Sequence, residues 1–172
     1  SGDPDEQMYN VYDNLQCWDN GSHGIVIGYQ RSGVLSNSFA SGNGAIGIWV
    51  YDVEDFNVHD CSTTLNDEEG LHILNLDNIN FTNVIAKNNN VSDTDNIGGI
   101  IIENSSGIRF TSCQSYDDRD TPLQAYGIEL TSANTNISLV NCKLTPNKEG
   151  EIYNPAGVVL TVITEKKKLS KF

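Results

Sequence analysis

The sequence predicts an all-β solenoid, one chain wound into about six stacked rungs. Three observations carry this reading. A Gly-Ile or Gly-Leu pair recurs at Gly24-Ile25, Gly47-Ile48, Gly70-Leu71, Gly99-Ile100 and Gly127-Ile128, in steps of 23, 23, 29 and 28 residues. Each pair opens a stretch in which apolar and unconstrained positions alternate, the period-2 pattern of a strand with one buried face. Two columns of Asn and Asp recur in step with the pairs.

In the first strand of each unit, Ile27, Val50, Ile73, Ile102 and Leu130 are apolar, while Val26, Trp49, His72, Ile101 and Glu129 vary freely between them and the pair. A second strand follows, built on Leu35, Val58, Phe81, Phe110 and Leu139. Gly33, Phe56, Ile79, Ile108 and Ile137 precede these at matching offsets. Asn14, Asn37, Asp60, Asn83, Ser112 and Asn141 form one polar column; Asn20, Asn43, Asn66, Asn89, Asp118 and Asn147 form the other. Asn and Asp tolerate left-handed backbone and mark turns. In a stacked coil the same amide can also bond its copy one rung away, at roughly 4.8 Å. Residues 157–164 (GVVLTVIT) read as a final strand. The expected organisation is an irregular start over 1–9, a coil over 10–164 and a basic tail over 165–172.

A unit of 23 residues is too short for two helices and lacks the Ala, Leu, Glu and Lys content of helical repeats. These columns resemble the single-stranded right-handed parallel β-helix, the pectate-lyase-like coil of pectate lyases, polygalacturonases, alginate epimerases and phage tailspikes. The resemblance covers about residues 10–160. It implies part of a polysaccharide hydrolase, lyase or epimerase acting on an extracellular glycan, at an extracellular or cell-surface location. The stretch Asn20-Gly-Ser-His-Gly-Ile-Val-Ile-Gly28 resembles the polygalacturonase segment in which a His helps orient the catalytic carboxylates. Carried over, His23 takes that role. That family's upstream Asp-Asp pair and downstream Arg-Ile-Lys have no counterpart; Gly47-Ile-Trp-Val stands at the latter position. Read without the resemblance, His23 is a turn residue in a slot shared with Ile46, Glu69, Gly98 and Tyr126.

The formal net charge is −13 with only 10 Lys and Arg, four of them in the last eight residues. That excess argues against a nucleic-acid partner. It also repels a polyanion unless cations intervene. Cys17, Cys61, Cys113 and Cys142 contain no CxxC pair, so no zinc framework is expected. Cys61, Cys113 and Cys142 share a buried column with Leu15, Ser38 and Val84 and read as small apolar filler. Cys113 and Cys142 fall on adjacent rungs, which leaves a disulfide open. No run is long and apolar enough for a membrane span. Stacked coils expose a sticky edge, and the short polar start covers none. Missing N-terminal rungs, a capping subunit or a homo-oligomer is therefore expected.

Two places carry candidate chemistry. The first is the outward face of the Gly-Ile strands, with Trp49, Tyr51, His72, Glu103 and Glu129. Exposed aromatic rings stack on sugar faces while carboxylates bind hydroxyls. The second is the loop before each Gly. It spans four residues from the Asn column to the Gly in the first three units, but ten after Asn89 and nine after Asp118. The enlarged loops NVSDTDNIG and DRDTPLQAY bring Asp93, Asp95, Asp117, Asp118, Asp120 and Arg119 to one edge. Such carboxylates are compatible with acid–base work on a glycosidic bond, with Ca²⁺ binding or with solvated turns.

The expected catalytic groups are Asp95, Asp118, Asp120 and His72. The expected substrate-binding groups are Trp49, Tyr51, Glu103, Arg119, Glu129 and His23. Asp93, Asp95 and Asp117 are the candidate calcium ligands if any cofactor is used. The rival reading is a non-catalytic surface-layer, sheath or tailspike segment that binds glycan or a neighbouring subunit. An ice-binding coil is disfavoured because the outward column lacks a regular Thr array.

Overall fold

A computed structural model describes residues 9–93 and 97–164. Its eighteen short strands form three parallel sheets. The six-stranded sheet holds β3 (Ile25–Gly28), β6 (Ile48–Tyr51), β9 (Leu71–Leu74), β12 (Ile100–Glu103), β15 (Tyr126–Leu130) and β17 (Gly150–Tyr153). The seven-stranded sheet holds β1 (Asn10–Asp13), β4 (Gly33–Ser36), β7 (Phe56–His59), β10 (Asn80–Thr82), β13 (Arg109–Thr111), β16 (Ile137–Val140) and β18 (Leu160–Ile163). The five-stranded sheet holds β2 (Gln16–Trp18), β5 (Phe39–Ser41), β8 (Ser62–Thr64), β11 (Ile85–Lys87) and β14 (Gln114–Tyr116). From β3 to β16 the chain visits the six-, seven- and five-stranded sheets in that order at every turn, so the fold is a parallel β-helix.

The register follows the sequence columns. Ile25, Ile48, Leu71, Ile100 and Ile128 pair in succession, as do Leu35, Val58, Phe81, Phe110 and Leu139. These side chains fill the coil, and Phe81 stacks on Phe110 at 5.0 Å between centroids. The five-stranded sheet is an addition to the sequence reading. Its three-residue strands lie between the two polar columns and turn small residues inward: Ala40, Thr63, Ala86 and Ser115. The final strand is shorter than expected, Leu160–Ile163, because Asn154 bonds both the amide and the carbonyl of Val158 and holds a turn before it.

The first polar column is a run of left-handed corners. Asn14, Asn37, Asp60, Asn83, Ser112 and Asn141 all have φ between 48° and 55°. The second column is a buried amide ladder. Asn20 Nδ2 donates to Asn43 Oδ1 (2.9 Å), Asn43 to Asn66 (2.8 Å) and Asn66 to Asn89 (2.9 Å). Here the sequence alignment requires a correction. Gln124, not Asp118, continues the ladder: its Oε1 accepts from Asn89 N at 3.4 Å and its Nε2 donates to Asn147 Oδ1 at 2.7 Å. A carboxylate cannot donate to the next rung, whereas an amide both accepts and donates.

The ladder also accounts for the recurring glycine. A Cβ on Gly47 would lie 2.6 Å from Asn66 Nδ2 and 2.7 Å from Gly70 O. The amide of one rung occupies the space that a side chain on the rung before would need.

Cys61 and Cys113 are buried, Cys142 is half-buried, and all three thiols are free. Burial pushes the Cys61 thiol up to about 11. A hydrogen bond between Cys113 and Cys142 raises the first, with burial adding to it, and lowers the second.

Candidate functional site

The parallel register stacks the outward residues of the six-stranded sheet into two columns. Val26, Trp49, His72, Ile101, Glu129 and Tyr153 form one. Gly28, Tyr51, Leu74 and Glu103 form the other. An aromatic cluster occupies the early rungs. Trp49 lies 4.9 Å from Tyr51, 5.2 Å from His23 and 5.9 Å from His72 between ring centroids, and Tyr29 meets Tyr51 edge-on at 5.2 Å. The Tyr51 ring lies over Gly28, where any Cβ would collide with it. Trp49 Nε1 is buried and has no acceptor among the described residues. At the far end Tyr126 stacks on Tyr153 at 5.0 Å.

Between the two aromatic ends lies a charged centre. As imidazolium, His72 donates from Nδ1 to Glu69 and from Nε2 to Glu103 Oε2 at 3.4 Å. Glu103 Oε1 accepts from Thr131 Oγ1 at 2.7 Å. Desolvation works against the charged ring, but Glu69 and Glu103 outweigh it and raise the His72 pKa. Glu129 stands one rung beyond, with Gly98 N donating to its Oε2 at 3.2 Å. Burial lifts its carboxyl above the ordinary range, Gly98 N–H opposes this, and the charges of Glu69 and Glu103 add to it. The strand and rung spacings put the Cα atoms of Glu103 and Glu129 roughly 8 Å apart on the diagonal. This centre offers a proton donor and a hydrogen-bonded carboxylate side by side.

The loop carboxylates do not gather as a second centre among the described residues. Asp117 is fully buried and staples its own loop, accepting from Arg119 Nε (2.8 Å), Leu123 N (2.7 Å) and Gln124 N (2.9 Å). Burial opposes its ionisation, but Arg119 and these amides together hold its pKa below the ordinary value. Arg119 also donates to Asn89 O at 2.7 Å, so both its contacts are internal. Asp118 pairs with Lys87 at 3.0 Å and bonds Asn88; Asp93 pairs with Lys148 at 3.0 Å. Asp120 is exposed, and Asp95 lies outside the described residues. Among the described residues no group of three or more His, Cys, Asp or Glu is arranged to hold a metal ion. Asp93 and Asp117, read from sequence as calcium ligands, are each engaged with a cation of the chain itself.

Among the described residues, concavities lie elsewhere as well. One of about 430 Å³ sits on the seven-stranded sheet beside Asn57, His59 and Asn80. Another, of about 340 Å³, opens at the end of the coil beside Leu144 and Val162.

The sequence matches the family described as right handed beta helix region over residues 8–161. The chain belongs to the right-handed β-helix family. No curated relative matches it by sequence. Solved structures similar to this β-helix include the periplasmic alginate epimerase AlgG, with a TM-score of 0.72, 13% identity, and coverage of 91% of this chain and 39% of that one. The A-module of the mannuronan C-5 epimerase AlgE6 of Azotobacter vinelandii gives a TM-score of 0.64 and 11% identity, covering 94% of this chain and 47% of that one. The pectate lyase Pel9A gives 0.50 and 14%, covering 92% and 49%. This β-helix therefore spans less than half the length of those three structures.

Several residues of this face escape the sequence reading. Glu69 and Tyr126 occupy the slot before the repeat glycine, as His23 does, and each touches an outward residue: His23 meets Trp49, Glu69 meets His72, and Tyr126 meets Tyr153. Strand alternation cannot be extended to that slot because it sits on the corner leading into the strand. The available signal was its chemistry, two rings and a carboxylate where a turn filler would be small. Thr131 and Gly98 carry no comparable signal.

Proposed function

We propose that this β-helix binds a polysaccharide along the outward face of its six-stranded sheet and hydrolyses it outside the cytoplasm. The observation that carries the proposal is the Glu69–His72–Glu103 cluster, set between aromatic residues on one continuous face. Trp49 and Tyr51 at one end, and Tyr126 and Tyr153 at the other, are platforms for the C–H faces of sugars. Four strand spacings separate Trp49 from Tyr153, about 19 Å of surface.

Glu129, whose burial favours the protonated form, is the proton donor to the glycosidic oxygen. Glu103, held by Thr131 and His72, is the carboxylate that takes a proton from the attacking water. His72 is a positioning residue between Glu69 and Glu103. Proton transfer is assigned to Glu129 rather than to Asp118 or Asp120, because Asp118 is bound to Lys87 and Asn88 and Asp120 is an exposed loop residue. The similar solved structures are named as epimerases of alginate or mannuronan and as a pectate lyase. Hydrolysis is favoured over lyase or epimerase chemistry here because abstraction of a proton next to a carboxylate requires positive groups to hold the developing charge. None of the six strands contains Lys or Arg, and the imidazolium among them, His72, is already held between Glu69 and Glu103.

The test is release of reducing ends from a panel of neutral, amino and uronate polysaccharides, with Glu129→Gln and Glu103→Gln as controls. Release that both variants lower by about 100-fold or more supports hydrolysis. Binding without release, abolished by Trp49→Ala, supports instead a non-catalytic glycan-binding coil.

A further inference from the structure

The corner after the seven-stranded sheet carries three cysteines in one inward column. Ile85 N donates to Cys61 O at 2.9 Å, Gln114 N to Val84 O at 2.8 Å and Lys143 N to Cys113 O at 2.9 Å, so Cys61, Val84, Cys113 and Cys142 lie on four successive rungs. Cys61 and Cys113 are two rungs apart, roughly 10 Å between Cα atoms, beyond the reach of a disulfide. Cys113 and Cys142 are one rung apart, about 4.8 Å, which a disulfide spans. Their thiols already hydrogen-bond to each other. The two differ in access. Cys113 is buried, and Val84 N donates to its Sγ at 3.4 Å. Cys142 is half-buried and lines the cavity of about 340 Å³ at the end of the coil.

We propose that Cys113 and Cys142 form a thiol–disulfide site that meets a disulfide oxidant through the end cavity, with Cys142 attacking first and Cys113 closing the bond. The Cys142 thiolate attacks one sulfur of the oxidant, forming a mixed disulfide and releasing the other half as a thiolate. The Cys113 thiol then gives its proton to solvent and attacks Cys142 Sγ. The Cys113–Cys142 bond forms, and the second half of the oxidant leaves as a thiolate. Two protein thiols are oxidised and one oxidant disulfide is reduced to two thiols. The hydrogen bond from Cys113 favours the thiolate on Cys142 and lowers its pKa. Oxidants of this class act outside the cytoplasm. The new bond joins the rung of β12 and β13, which carries Glu103, to the rung of β15 and β16, which carries Glu129. The site does not depend on the glycan reading of that face.

The test exposes the folded, reduced protein to oxidised glutathione and reads the products by intact mass and peptide mapping. Cys17→Ser is present throughout to remove the other half-buried thiol. The expected product has lost two hydrogens, carries no glutathione and links Cys113 to Cys142, with Cys61 still a free thiol. Cys113→Ser should stop the reaction at one glutathione on Cys142. Cys142→Ser should slow modification of Cys113 at least roughly tenfold. The oxidised form should unfold at a higher urea concentration than the reduced form, and added reductant should remove the difference. Circular dichroism checks the folding of the serine variants, and the link itself is read without them. A lasting glutathione adduct on Cys142 while Cys113 is present, a link to Cys61, or no reaction of the folded protein overturns the proposal. So does modification of Cys113 at an unchanged rate in Cys142→Ser.

Discussion

His72 Nε2 lies 3.4 Å from Glu103 Oε2 on the next rung, while its Nδ1 engages Glu69 on its own rung. The ring thereby ties two rungs together. Its folded pKa is raised above the ordinary 6.5. The stabilisation it gives is therefore complete below pH 6.5 and is lost as the pH rises through the higher folded value. His72→Gln should lower stability by about 1–2 kcal/mol at acidic pH and by progressively less above neutrality. Urea unfolding of both proteins across that range measures the difference. A gap that does not shrink with pH would show that His72 is neutral in the fold.

Regular rungs are legible in the sequence because a constant 23-residue spacing fixes register, and β3, β6 and β9 pair where the columns align. Legibility ends where the spacing changes. Counting forward from Asn89 assigns the ladder to Asp118, yet the inserted loop comes before the ladder residue, and Gln124, one methylene longer than Asn, takes the place. The loop aspartates look gathered because they are close in sequence. Salt bridges to Arg119, Lys87 and Lys148 disperse three of them, and only tertiary contacts reveal that. The charged centre was half legible: alternation exposes His72, Glu103 and Glu129, but not Glu69 on its corner.

The amide ladder should be costly to break. Asn66 is buried, accepts from Asn43 and donates to Asn89. Asn66→Ala leaves buried groups on two rungs unpaired, each worth about 1–3 kcal/mol. We expect a loss of about 3 kcal/mol in urea unfolding. Gly47→Ala should cost about 2 kcal/mol by forcing the same amide aside.

Asp117 should matter for its loop rather than for chemistry. Asp117→Ala removes the buried acceptor of Arg119, Leu123 and Gln124 and should cost about 3 kcal/mol. Hydrogen exchange at the Leu123 and Gln124 amides should accelerate more than in the remote strand β4. Glycan binding to the aromatic platforms should survive under conditions where the variant is folded.

The three inner thiols should differ in reactivity. Cys61 is raised by burial and Cys113 by its bond to Cys142, while that bond lowers Cys142. Alkylation of the folded protein followed by mass spectrometry should label Cys142 well before Cys61 or Cys113. Equal labelling of all three would indicate global opening rather than local access.

The central claim is that a glycan lies along the outward face of the six-stranded sheet. Diffraction from crystals soaked with an oligosaccharide that the protein binds in solution tests it most directly. The account predicts sugar density running from Trp49 and Tyr51 past His72 and Glu129 to Tyr153. Density confined to the seven- or five-stranded sheet, with that face bare and unblocked by crystal contacts, would contradict it.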